Sequence, residues 1–238
     1  MIKLKSVFIL IFVFTTSIYS QFNDNKFGLA LSYNYSTSAR LYPYPNSVNQ
    51  IFRDENIQLD GFYSISTEFM YRASKSIILS VGTEYINHTK NLRVFTVAGT
   101  EGVSRLTAKE GFELIPFDAS IYYYLPFSTE TVKFFMGGGF SIYYGSHIRE
   151  FSEVRAENVS REFSYGIQAS LGMDYMLLDY LSARFKMKFR DPDFKLISRY
   201  NKETVTIDGK EFQIPLFNFD SRFNLDGVAF SLGLVFHF

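Results

Sequence analysis

From Gly227 to Phe238 the chain alternates without a break. Val228, Phe230, Leu232, Leu234, Phe236 and Phe238 fall on one side, and Gly227, Ala229, Ser231, Gly233 and His237 on the other. Val235 is the one bulky apolar residue on the second side. A period of two over this length is a strand with one apolar face and one small or polar face. The pattern recurs upstream at 27–35, 61–72, 77–85, 115–123, 134–144, 163–175 and 181–190. In the last of these, Leu181, Ala183, Phe185, Met187 and Phe189 alternate with Ser182, Arg184, Lys186, Lys188 and Arg190.

The connections alternate as well. Long stretches at 37–59, 87–110, 146–161 and 191–224 take turns with the short links Ala73-Ser74-Lys75, Pro126–Glu130 and Leu177-Leu178-Asp179. Residues 37–59, with Pro43 and Pro45, read as a loop. In the second insert, 92–97 and 103–106 flank Ala98–Gly102 and predict a hairpin that prolongs its two strands. In the fourth, Asp208-Gly209 between Thr204–Ile207 and Lys210–Ile214 is a hairpin signal. Placing every long connection at one end and every tight turn at the other is the plan of an outer-membrane barrel. An even strand count closes such a barrel and leaves no unpaired edge in lipid. The expected fold is therefore all-β, an eight-stranded antiparallel up-and-down transmembrane barrel with long extracellular loops and short periplasmic turns. Two rival readings stand beside it: a soluble calycin-like periplasmic ligand carrier and a lipid-modifying barrel enzyme.

A closed barrel gives the polar faces a place to go. Arg184, Lys186, Lys188 and Arg190 would form a basic ladder inside it, too costly to bury alone. Glu68, Glu84, Asp118 and Asp174 are expected to face the same lumen, with Arg72 joining near the rim, as a structural charge network. Eight strands leave room for side chains but for no wide channel. Tyr33, Tyr35, Tyr63, Tyr71, Tyr85, Tyr123, Tyr144 and Tyr175 lie toward strand ends on the apolar side, as interfacial girdles do. Pro116 predicts a bulge or a missing ladder bond, and Gly137-Gly138-Gly139 predicts curvature or the close approach of a bulky neighbour.

Composition agrees. Aromatics reach 18 %, all Phe and Tyr with no Trp, while mean hydropathy is only −0.02. That is too polar for a helical bundle and suits a barrel with polar residues inside. A formal net charge of zero gives no reason to expect nucleic acid. The absence of cysteine removes disulfides, thiolate metal sites and a thiol nucleophile. Residues 1–20 carry Lys3 and Lys5, the uncharged run Val7–Phe14 and the polar Thr15–Ser17, with Ile18-Tyr19-Ser20 before Gln21. This reads as a cleaved signal peptide followed by a barrel domain over 21–238.

No metal, cofactor or catalytic motif emerges. His88, His147 and His237 lack metal-ligand spacing, and neither HExxH nor Gly-x-Ser-x-Gly occurs. His88 or His147 with a loop serine is the only arrangement that could mimic a lipid hydrolase. Arg149, Glu150, Glu153, Arg155, Glu157 and Arg161 read as a solvated face, and the extended hairpins as a docking edge for another protein or a glycan.

The chain resembles the small outer-membrane β-barrel proteins of Bacteroidetes, the PorT-like group, and more distantly the OmpA- and OmpX-type barrels. The resemblance spans nearly the whole exported part. It is carried by Glu113-Leu114-Ile115-Pro116-Phe117, by the glycine-rich fifth strand, and by Phe236 and Phe238. It implies outer-membrane lipid around the barrel and recognition of Phe236 and Phe238 by the barrel assembly machinery. It further implies a structural or accessory binding role, as component or partner of a cell-envelope assembly such as a secretion system.

Overall fold

The computed structural model describes residues 25–59, 61–99, 102–161, 163–207, 209–214, 216–225 and 227–238; the side chains of 93–99, 102–106 and 161 lie outside the description. The expected signal peptide and Asp208 also lie outside the described residues. In chain order the elements begin with β1 (Phe27–Ser36), β2 (Ala39–Tyr42), α1 (Gln50–Asp54), β3 (Ile57–Leu59) and β4 (Phe62–Arg72). Next come β5 (Ile77–Gly99), β6 (Gly102–Tyr124), β7 (Val132–Phe151), β8 (Val154–Arg161), β9 (Ser164–Leu178) and β10 (Leu181–Arg190). The chain closes with β11 (Asp193–Tyr200), β12 (Thr204–Ile207), β13 (Lys210–Gln213), β14 (Phe219–Asn224) and β15 (Gly227–His237).

Eight of these close a lower barrel. The antiparallel ladder runs β5-β4-β1-β15-β10-β9-β7-β6 and returns to β5. Its outer wall is apolar: Leu31, Ile65, Val81, Ile121, Ile167 and Leu232 are all exposed. The girdle tyrosines point outward, with Tyr33 stacked on Tyr63 at 5.3 Å. The β5–β6 ladder pairs Thr83 with Phe117 and resumes at Ile86 with Leu114, skipping the Ile115-Pro116 step. There Thr83 Oγ1 donates to the Pro116 carbonyl at 2.9 Å, which supplies a partner that the interrupted ladder does not. On β7, a Cβ at Gly137 would come within 2.4 Å of Tyr122 Cδ1 and one at Gly139 within 2.5 Å of Ser120 Oγ. The glycines admit those two inward side chains.

β5 and β6 are 23 residues long, roughly 75 Å at about 3.3 Å per residue, where a membrane crossing needs about 9–11 residues. Their excess builds a second storey. The upper part of β7 pairs with β8, and the sheet continues β8-β11-β14-β2-β3. This corrects the reading of 37–59 as loop and of the fourth insert as one hairpin. The loop contains β2, α1 and β3, and the insert adds β11 and β14 to its β12–β13 hairpin. Leu41, Leu59, Phe112, Leu114, Phe194 and Phe223 form an apolar core at the foot of this storey. Phe151, Val154, Tyr200, Val205, Phe212 and Ile214 form another above it.

Candidate functional site

The lower bore is filled with paired charge. β10 lies between β15 and β9, and its inward basic residues face small partners on β15 and, at Lys186 and Lys188, on β9 too. Arg184 is opposite Gly233, Lys186 opposite Ser231 and Gly172, and Lys188 opposite Ala229 and Ser170. Long basic side chains therefore have room to cross the lumen. Arg184 donates to Asp174 through Nε at 2.7 Å and Nη2 at 2.8 Å, a bidentate fork. Lys186 Nζ reaches Glu68 Oε2 at 2.8 Å, and Tyr122 donates to the other Glu68 oxygen at 2.6 Å. Lys188 bridges Glu84 at 3.0 Å and Asp118 at 3.1 Å. Arg190 Nη1 meets Glu84 Oε2 at 2.8 Å, and Ser64 donates to Glu84 Oε1 at 2.6 Å.

Four carboxylates thus stand against four cations. Arg72, at the far end of β4, lines a void of about 10 Å³ with Tyr124 and His237, and Tyr124 donates to Asp174 at 3.0 Å. Below the ladder, Met70, Ile78, Tyr122, Phe135 and Val235 form an apolar floor. Phe236 pairs with Leu29 and faces outward, while Phe238 exchanges backbone hydrogen bonds with Phe27 at 2.9 and 3.0 Å.

A second polar group sits between the two upper cores. Glu110 on β6 receives His147 Nε2 at 2.9 Å and also pairs with Arg149 Nε. Ser221 on β14 contacts His147 Nδ1 at 3.3 Å, and Arg149 Nη1 donates to Tyr200 at 3.3 Å. Burial holds the His147 imidazole below its ordinary pKa, so the ring is neutral at neutral pH. For Arg149, burial works against the charge, but the Glu110 carboxylate outweighs it and the pKa is raised. Arg149 therefore departs from the expected solvated face. It is buried, whereas Glu153 and Arg155 of the same run are exposed. The available signal was phase, since Tyr143, Gly145, His147, Arg149 and Phe151 continue the inward register of β7.

Ser221, His147 and Glu110 stand in the order of nucleophile, base and orienting carboxylate. Ser221 and Glu110 are both 0 % exposed, so a substrate has no approach to them as folded. His88, the other histidine considered for such chemistry, packs its ring against Phe62 at 5.4 Å and Phe112 at 6.3 Å. Among the described residues no cluster of three or more potential metal ligands occurs.

No protein-family model matches this chain, and no curated protein matches it. Solved structures do. The outer membrane protein OprG from Pseudomonas aeruginosa aligns with a TM-score of 0.55 at 12 % identity, covering 92 % of this chain and 99 % of that one. Neisserial surface protein A aligns with a TM-score of 0.46 at 13 % identity, over 89 % of this chain and 97 % of that one. At such identities the OprG likeness carries the fold: a small eight-stranded barrel of the outer-membrane type.

Proposed function

We propose that this chain is an integral outer-membrane barrel with a sealed bore, which acts through its upper storey as a structural or accessory binding element of the cell envelope. One observation carries the reading. Glu68–Lys186, Asp118–Lys188 and Glu84–Arg190 pair acid with base across the lumen, and Asp174–Arg184 pairs neighbouring strands on its wall, beneath an apolar core. A void at this network measures about 10 Å³, room for about one water molecule. Residence in the outer membrane is supported by the closed ladder and the apolar outer wall. The partners on this reading are outer-membrane lipid, the barrel assembly machinery during insertion, and another envelope component at the upper storey. A place beside a secretion system, and membership of the PorT-like group, rest on the resemblance in residues 113–117 and the glycine-rich β7.

Planar-bilayer recording of the purified protein tests the seal. The reading expects no unitary conductance steps, and stable open-channel currents from the wild-type chain would overturn it. The rival hydrolase reading has the Ser221–His147–Glu110 alignment in its favour. A fluorophosphonate probe separates the two, because a non-catalytic barrel leaves Ser221 unlabelled in the folded protein.

A further inference from the structure

Where the upper storey meets solvent, the segment leaving β2 and the segment entering β14 lie side by side, since Arg222 pairs with Tyr42. Between them runs a groove of about 540 Å³, within the range of small-molecule sites. Tyr44, Phe52, Phe217 and Phe219 supply its rings, and Asp220 and Asn46 its polar end, where Asn46 Nδ2 donates to Asp220 Oδ2. Among the described residues that line the groove, Asp220 is the only formally charged one, and none is a lysine, arginine or histidine.

Packing does not account for these rings. None of the residues of α1 is buried. Tyr44, Phe52 and Phe217 are 50 %, 52 % and 65 % exposed. Large apolar side chains grouped around water, well clear of the apolar barrel wall, mark an interaction site. The lining also specifies charge. Aromatic faces with one carboxylate attract a positive group, through the ring quadrupoles and through Coulomb attraction. Phe219 differs from the other three, because Arg149 already lies 4.9 Å from its centroid. It serves as the floor, and the cation-facing role falls to Tyr44, Phe52 and Phe217.

We infer that this groove binds an organic ammonium compound, with the cationic head toward Asp220 and the apolar body along the rings. The inference rests on the reading of the upper storey as the binding element and names the ligand class. The bilayer recording tests that reading separately, because conductance bears on the bore and not on the groove.

The experiment is a ligand-observed NMR titration of the full protein in dodecyl maltoside, which carries no amine. The probes are benzyltrimethylammonium, choline and 3,3-dimethylbutan-1-ol, the last replacing choline's charged nitrogen by carbon. Saturable binding is expected for benzyltrimethylammonium and more weakly for choline, with the neutral alcohol at least about tenfold weaker than choline. Asp220→Asn keeps an acceptor for Asn46 and should weaken benzyltrimethylammonium about tenfold. Phe217→Ala, at an exposed ring, should weaken it severalfold, and Phe127→Ala in a short turn should leave it unchanged. Unchanged hydrogen exchange in β11 and β14 confirms that each variant keeps a folded upper storey. Equal binding of choline and the neutral alcohol, wild-type affinity in Asp220→Asn, or no saturable binding of benzyltrimethylammonium would each overturn the inference.

Discussion

β7 passes through both storeys without losing phase, and its two halves have opposite chemistry. In the lower half Phe134, Met136, Phe140 and Ile142 point outward, while Gly137, Gly139 and Ser141 point inward. In the upper half Ser146 and Glu150 take the outward positions, and Tyr143, His147, Arg149 and Phe151 the inward ones. β6 does the same. Asp118, Ser120 and Tyr122 give way to Leu114 and Phe112 on the inward face. The backbone is one continuous ladder, so the difference lies in the surroundings of the wall. Where lipid takes the apolar residues, polar ones are left for the lumen, and they must satisfy one another. Where water surrounds the wall, the apolar residues turn inward and form an ordinary core. The swap at Leu114 and Tyr143 marks the level where the apolar girdle ends.

The contrast can be broken most severely at Glu84. It holds Lys188, Arg190 and Ser64 together, so Glu84→Leu leaves the buried Arg190 without its carboxylate and Lys188 with Asp118 alone. A loss of about 3–5 kcal/mol is expected, read as a fall in the temperature at which heat-modifiable migration is lost. In the upper storey Phe223→Ala should cost about 3 kcal/mol by opening a cavity between Phe112 and Phe194. Its effect should appear as faster hydrogen exchange in β11 and β14, with the gel transition of the barrel nearly unmoved.

A smaller effect separates the storeys by pH. His147 is buried and prefers its neutral form when folded, whereas in the unfolded chain it titrates near about 6.5. The unfolded state then binds the extra proton first, so stability from this site is complete above that pH and declines as pH falls below it. The groups facing the ring are Glu110, Ser221 and the Phe219 and Phe223 rings, with Arg149 also on Glu110. Exchange in 146–151 and 219–224, corrected for intrinsic rate, should quicken from pH 7.5 to 5. His147→Gln should flatten that profile, and identical profiles would remove the site from the account. The smallest effect is expected at Lys202–Glu153, which at 2.7 Å is as short as the lumen pairs but sits in solvent. Glu153→Gln should leave unfolding unchanged, because water screens what the lumen does not.

The lower barrel was legible because sustained period-two alternation reads as strand, and the order of long and short connections located its two ends. The upper storey was largely hidden. β2 and β3 are 4 and 3 residues long, too short to carry a period, and β2 finds β14 across most of the chain. Arg149 and His147 were hidden for another reason. Their partner Glu110 lies on a different strand, and a charge becomes buried only through the pairing that brings the two together. The β5–β6 extension was visible, since both of its flanks alternate on either side of one turn.

The two-chemistry account stands on the claim that the lumen charges stabilise as pairs, and Arg184–Asp174 tests it most directly. A double-mutant cycle in detergent would use Arg184→Met, Asp174→Leu and the combination, with unfolding free energy as the readout. Each single change should cost about 3–5 kcal/mol, and the double variant should recover most of that loss, because it leaves no unpaired charge in the bore. Additive losses in the double variant would contradict the account.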